Sequence, residues 1–356
     1  MKQNRTLFVS IATLGSGGAE RVLSVLSKPF ADEYDRVEYI LWLHYPVFYT
    51  IDKRVKIMDI TKEAGTDNIV KKLLWFRRYV RRQRPDLILS FLWPWSMKVL
   101  ASLLFTRFKV VVAERQDPNI VRGGAPMRWL RGLLYRRANG IVVQTEANSK
   151  SYSGDIKVIY NPVSIPQEKV GSALKAEKTK RFVSVGRLIP QKNQELMIRA
   201  FAEFNKGHKD YGLVIYGGGE LRESLKQLAE ELGIGEAVKM PGNSSDVVSS
   251  ISDATAFVLS SNYEGMPNAL LEAMCIGLPC ISTKVSGATD LIQTGVNGLL
   301  VDLGDVEQMS DAMKTLADNT GFCERLGHEA SRVYEKLSPE IINSQWIEYV
   351  NKKIGD

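Results

Sequence analysis

The sequence is poor in the side chains that bind metals and form crosslinks. Its 356 residues include only three cysteines and three histidines. Cys275, Cys280 and Cys323 are an odd number, lack metal-ligand spacing and sit in apolar company. That excludes a disulfide framework and fits buried, reduced thiols in a cytosolic protein. His44, His208 and His328 are scattered, which leaves no histidine cluster for a metal. No stretch reaches the ~18 apolar residues needed to cross a bilayer. The opening MKQNRTLFVSIATLGSGG has an apolar run too short for a signal segment and reads as a first strand, so a soluble or peripheral protein is expected. Glycine-rich loops are present, but none has the G-x-G-x-x-G spacing of a dinucleotide fingerprint.

What is present suits two ordinary domains. Hydrophobic residues make up 44% and charged residues 24%, enough to build two cores. Charge is uneven along the chain. Residues 1–165 hold 27 Lys/Arg against 14 Asp/Glu, a net +13, while the remainder holds 20 against 26, a net −6. The first half is therefore built to meet something anionic.

Strand-like and helix-like segments alternate throughout, the pattern of open parallel sheets. TLFVSIA (6–12) is followed by Gly15, Gly17 and Gly18, which open a helix with Val22, Leu23, Leu26 and Phe30 on its apolar face. By itself this loop is equally a tight turn or a phosphate-binding turn. VEYILWL (37–43) and VKIMDI (55–60) read as further strands. Seven Lys/Arg between Lys71 and Arg84 interleave with Leu73, Leu74, Trp75, Phe76, Tyr79 and Val80, and PMRWLRGLLYRRANG (126–140) repeats the character. Such helices either pack on a core with a solvated basic face or lie at an anionic bilayer surface. VVVA ends on Glu114-Arg115-Gln116-Asp117. The polar, lysine-rich stretch 167–180 lacks apolar periodicity and is expected to be a linker.

In the second half, RFVSVGRLIPQKNQ places Gly186, Arg187 and Lys192 in a loop after a strand, Arg as a fork and Lys as a point charge for phosphate oxygens. LVIYGGGEL puts Gly217 and Gly218 at a helix start, where a base or ribose could approach the sheet edge. The central unit is ATAFVLSSNYEGMPNALLEAMCIGLPCIST (254–283). AFVLS (256–260) and LPCIS (278–282) read as strands and NALLEAMCIG (268–277) as a helix opened by Pro267. Glu264 falls in the loop and Glu272 in the helix. If both were helical they would lie ~12 Å apart along the axis, too far to share a proton and suited to gripping two parts of one elongated ligand. The amides of Gly265, Met266 and Asn268 lie at a helix N-terminus, a ready anion site. The last segments expected are amphipathic helices at 305–318, 322–336 and 339–354.

Glu264-Gly-Met-Pro-Asn-Ala-Leu-Leu-Glu272 after an apolar strand resembles the E-x7-E motif of retaining glycosyltransferases of family 4. The resemblance is strongest over residues 180–302. It implies an α/β fold of GT-B architecture, two Rossmann-like domains facing each other across a cleft with a C-terminal helix crossing back to the first. The expected division is 1–165 as the acceptor-binding domain, 166–180 as linker, 181–338 as the nucleotide-sugar domain and 339–356 as the returning helix. The resemblance also implies that Gly17, Gly18, Arg187 and Lys192 meet the donor diphosphate, and that the loop with Asn243 holds the base. Glu272 would then hold the ribose and Glu264 the transferred sugar. Glu264, Arg187 and Lys192 are the expected catalytic groups. Many members carry a histidine where this chain has Glu114; Glu114, Arg115 and Asp117 are candidates for the acceptor or sugar side, or for ordering the loop.

The expected activity is metal-independent, cofactor-free transfer of a sugar, with retention, from a UDP-linked donor to a lipid-linked saccharide such as an undecaprenyl-diphosphate oligosaccharide. The protein would sit peripherally on the inner face of the cell membrane. A GDP-sugar, a soluble acceptor or 2-epimerisation are the alternatives. A nucleic-acid partner is not expected, because no recognition motif accompanies the basic charge.

Overall fold

A computed structural model describes residues 5–118, 120, 123–244 and 246–356. The chain divides into two compact units. One is Met1–Pro162 with Pro339–Asp356, and the other is Val163–Ser338.

The first unit is a seven-stranded parallel sheet. Its strands are β1 (Thr6–Ile11), β2 (Arg36–Leu41), β3 (Lys56–Asp59), β4 (Leu87–Phe91), β5 (Val110–Ala113), β6 (Gly140–Val143) and β7 (Ile156–Val158), in the order β3-β2-β1-β4-β5-β6-β7. LILSF of β4 and VVVA of β5 are buried throughout, as continuous apolar strands must be when helices cover both faces. One face is covered by the helices Ile69–Gln83, Trp93–Ser102 and Gly124–Tyr135, around a core that includes Phe8, Trp42, Phe76, Val80, Leu100 and Tyr135. In Ile69–Gln83 the core-facing residues Lys72, Phe76 and Val80 recur every fourth position, one stripe of a helix. Lys72 is buried with its ammonium on the Trp42 carbonyl (3.1 Å), Thr61 Oγ1 (2.7 Å) and Asp67 (3.3 Å). On the other face lie Gly18–Glu33 and Pro339–Gly355, whose fully buried Trp346 stacks on Phe91 at 5.8 Å.

The second unit is a six-stranded parallel sheet of β8 (Thr179–Val185), β9 (Gly212–Tyr216), β10 (Val238–Gly242), β11 (Ala254–Leu259), β12 (Cys280–Thr283) and β13 (Leu299–Val301), in the order β10-β9-β8-β11-β12-β13. Phe182, Phe201, Phe204, Val258, Ile281 and Met313 are among its core. The two parallel α/β sheets expected from the alternation are present. Each reverses its strand order once, between β1 and β4 and between β8 and β11. Open α/β sheets bind ligands at the carboxyl ends of strands at such reversals.

Two expectations shift. Residues 167–180 do not form a featureless linker. Short turns at Gln167–Lys169 and Ser172–Leu174 bind this segment to the second unit, with the Gly171 and Ala173 amides on the carbonyls of Cys275 (3.0 Å) and Ile276 (2.8 Å). Leu174 fills space that a side chain at Gly277 would need. The segment 322–336 is not one helix but Thr320–Ser331 and Tyr334–Leu337. As expected, Glu264 lies in the loop, a full turn ahead of the helix Asn268–Cys275 that follows Pro267.

Candidate functional site

In the second unit the reversal between β8 and β11 brings two loops together. The loop after β8 carries Gly186, Arg187 and Lys192; the loop after β11 carries Glu264 to Asn268. Hydrogen bonds stitch them together. Asn262 N donates to the Gln191 carbonyl (2.9 Å), Asn262 Nδ2 to the Pro190 carbonyl (3.0 Å), Asn193 Nδ2 to Asn262 Oδ1 (3.0 Å) and Gln191 Nε2 to the Tyr263 carbonyl (3.0 Å). Asn193 accepts left-handed backbone (φ +45) to make the bend and then caps the helix Gln194–Asn205.

The stitching delivers Lys192 Nζ to Glu264 Oε1 at 2.5 Å. Glu264, only 7% exposed, also accepts from Ser261 Oγ at 2.8 Å on the same oxygen and from Gln191 Nε2 at 3.4 Å on the other. Ser261 is itself held where Thr283 Oγ1 donates to its carbonyl (2.7 Å). The arrangement is a pre-positioned carboxylate with a cation against it. Arg187 is exposed on the same loop. Glu272 is buried on the helix Asn268–Cys275, where every neighbour from Leu270 to Cys275 is buried too. That burial pushes the Cys275 thiol far up, with the Glu272 charge adding to it.

Gly217 and Gly218 follow β9, and Asn243 follows β10, exposed at the same sheet edge. Glycine at 217 is demanded by the protein's own packing. Its φ is +138, and a Cβ there would stand 1.9 Å from the Gly186 carbonyl oxygen. The residue therefore lets two loops of the protein touch, with Leu188 N donating to the Gly218 carbonyl (2.9 Å). Gly287, which sequence reasoning did not single out, plays the matching part on the other side. A Cβ at 287 would meet the Gly265 carbonyl at 2.5 Å and the Pro267 ring at 2.5 Å.

In the first unit Gly17 is the N-cap and Gly18 the first residue of the helix Gly18–Glu33. Sequence reasoning missed Glu20. Its carboxylate folds back over the N-cap, so a Cβ at Gly17 would lie 2.2 Å from Glu20 Oε2, and Thr13 Oγ1 reaches Oε1 at 3.5 Å. Burial raises the Glu20 carboxyl. The signal was there: an acidic residue three positions after an N-cap is where a capping carboxylate sits. Leu92, next to the same sheet's strand reversal, holds φ +71, an outlier of the kind that collects near functional sites.

Glu114 and Arg115 turn inward. Glu114 accepts a hydrogen bond from Tyr135, and its carboxyl is pushed up to about 7, mainly by burial. Arg115 lies over the rings of Phe91 (5.5 Å) and Trp346 (5.0 Å) and donates to the Ile159 carbonyl (3.3 Å) and Asn161 Oδ1 (3.1 Å). Burial lowers its guanidinium to about 9. Of the three candidates on this loop, Glu114 and Arg115 bind their own unit together, and Asp117 is half-buried beside them.

A cavity of about 530 Å³ lies beside the stitched loops, between the helices Gln194–Asn205 and Arg222–Glu231. Pro190, Asn193 and Asn262 line it, and Arg187, Lys192, Glu264 and Glu272 do not. Among the described residues no helix is long and apolar enough to cross a membrane.

Residues 167–333 match the model of the family described as glycosyl transferases group 1. Over 352 residues the chain is 25% identical to a Campylobacter jejuni GalNAc-alpha-(1->4)-GalNAc-alpha-(1->3)-diNAcBac-PP-undecaprenol alpha-1,4-N-acetyl-D-galactosaminyltransferase, covering 96% of each chain. It is 26% identical to that organism's N-acetylgalactosamine-N,N'-diacetylbacillosaminyl-diphospho-undecaprenol 4-alpha-N-acetylgalactosaminyltransferase, over 88% of this chain and 90% of the relative. Among solved structures it superposes on Anabaena HepE in complex with UDP with a TM-score of 0.82 at 18% identity, covering 98% of this chain and all of that one. The fold is thus GT-B, and most of the second unit matches the group 1 glycosyl transferase model.

Proposed function

We propose that this glycosyltransferase moves a sugar, with retention of configuration, from a UDP-linked donor to a lipid-linked saccharide of the undecaprenyl-diphosphate type, in the manner of family 4. The observation that carries the reading is the Lys192–Glu264 pair, fixed at the strand reversal of a group 1 glycosyl transferase domain. The names of the two Campylobacter relatives support the acceptor class, and the UDP bound by HepE supports the nucleotide.

Breaking the anomeric C–O bond leaves negative charge on the departing diphosphate. Arg187 and Lys192 are the cations available in the loop after β8, and fixed charges placed where charge develops lower the barrier. Lys192 would then serve both Glu264 and a phosphate oxygen. Glu264, held by Ser261 and Gln191, orients a hydroxyl of the transferred sugar. Glu272 accepts from the ribose, and Asn243 with Gly218 borders the base. Gripping the donor at both ends presents the anomeric carbon in one orientation, which supplies much of the rate. Same-face attack lets the leaving phosphate take the acceptor's proton. The transfer needs no metal or cofactor in this scheme.

The basic helices of the first unit are assigned to an anionic membrane surface at the inner face of the cell membrane. In the helix Ile69–Gln83, Arg78, Arg81 and Arg82 are exposed, and in the helix Gly124–Tyr135 Trp129 is 71% exposed. The test is sugar transfer itself: UDP-sugars are offered with and without an undecaprenyl-diphosphate saccharide, and lipid product and free UDP are measured. Acceptor-dependent UDP release with an α-linked product supports the proposal. An inverted linkage, or sugar epimerisation without acceptor, would sink it.

A further inference from the structure

Phe105, in the loop between the helix Trp93–Ser102 and β5, gives the fold nothing. The residue is 96% exposed and its backbone holds φ +59, a conformation disfavoured for any residue with a Cβ. The loop is nonetheless held firmly. From the helix Ile69–Gln83, Arg77 Nη1 donates to the carbonyls of Ser102 and Leu104, both at 2.8 Å. From the end of the helix Gly124–Tyr135, Arg137 Nη2 donates to the carbonyls of Thr106 (2.7 Å) and Phe108 (2.8 Å). Arg77 on the helix Ile69–Gln83 and Arg137 just past the helix Gly124–Tyr135 thus bracket Phe105 with four hydrogen bonds to main chain.

The surroundings say what meets the ring. From residue 69 to 113 there are ten Lys/Arg and one acidic residue, Asp86, which accepts the Thr6 amide at 2.7 Å. Arg78, Arg81, Arg82 and Arg107 are exposed, and Leu104 stands beside Phe105 at the surface. A bare aromatic rigidly presented among uncompensated cations matches an anionic bilayer, whose headgroups take the arginines and whose interface takes the ring.

We infer that Phe105 is the insertion point by which the first unit anchors to an anionic membrane, and that Arg77 and Arg137 act as its mount. The inference rests on the membrane reading given above. It also separates two kinds of arginine in the same helices, those spent on the mount and those facing lipid.

Co-sedimentation of the full chain with vesicles of phosphatidylglycerol and phosphatidylcholine tests it, comparing wild type with Phe105→Ser, Phe105→Trp and the double change Arg78→Ser/Arg82→Ser. Phe105→Ser should weaken partition about tenfold, the loss expected when one aromatic no longer leaves water, and the loss should persist at high salt. Phe105→Trp should bind as wild type. The double arginine change should weaken binding only at low salt. A UDP-induced thermal shift unchanged in Phe105→Ser serves as the control for folding. If Phe105→Ser binds as wild type while the arginine change does not, the anchor is refuted and the membrane reading stands. If wild type itself does not sediment with the vesicles, both fall. A dimer in solution that Phe105→Ser converts to monomer would show that the ring meets a second copy and would also overturn the inference.

Discussion

Lys192 and Glu264 should be energetically coupled, and the coupling can be measured apart from activity. At an effective dielectric of ~20, two unit charges about 3 Å apart attract by roughly 5 kcal/mol. Removing both groups from water offsets more than half of this, leaving about 2 kcal/mol of net coupling. Lys192→Met strands a buried carboxylate with only Ser261 and Gln191 as donors, and Glu264→Gln strands an ammonium. Either change should cost roughly 3 kcal/mol. The double change leaves two neutral groups and should cost less than the sum by that coupling. The assay exploits the distribution of tryptophan. All six, Trp42, Trp75, Trp93, Trp95, Trp129 and Trp346, belong to the first unit. In urea titrations tryptophan emission therefore follows the first unit and far-UV circular dichroism follows both. The shifts should appear in the dichroism transition and leave the emission midpoint in place. Strict additivity of the two changes, or an emission midpoint that moves with them, would refute the reasoning.

Other outcomes follow from the same geometry. Glu272→Ala should weaken UDP-sugar affinity at least about tenfold by calorimetry, since a lost hydrogen bond to a carboxylate is worth some 1.5–3 kcal/mol; an unchanged Kd would remove Glu272 from the donor site. Gly217→Ala should cost roughly 3 kcal/mol or more in the dichroism transition, because φ +138 and a 1.9 Å contact leave no room for a Cβ. Glu114 makes the first unit pH-sensitive. Its folded carboxyl titrates near 7, whereas the unfolded one titrates at about 4.3. The folded state therefore keeps a proton that the unfolded state has released, and stability falls as pH rises between these values, by about 4 kcal/mol, then levels off. Glu114→Gln should flatten that part of the curve, read from tryptophan emission across a urea and pH grid; parallel curves would contradict it.

The alternation of short apolar runs with helical stripes made both sheets readable, because buried parallel strands such as VVVA cannot be written otherwise. Glu264 and Glu272 were readable as a pair because strand, proline and helix punctuate them. What could not be read depends on contacts between distant residues. Ser261 is an ordinary loop serine until Thr283 and Glu264 surround it. That Gly217 must be glycine for packing shows only when the Gly186 carbonyl is seen beneath it. Arg115 looks like a site residue at a strand end, and only the arrival of Trp346 from the far end of the chain makes it a packing residue. The 167–180 stretch misled because turns of three residues have no period to detect.

The first unit is begun at one end of the sequence and finished at the other. Residues 163–338 form a continuous piece and can close their own sheet as soon as they leave the ribosome. The first sheet, although made earlier, keeps Phe91 and Arg115 uncovered until the segment carrying Trp346 has been synthesised. Order of manufacture and order of completion are thus reversed. The basic, aromatic-rich half of the chain is the one that spends longest incomplete.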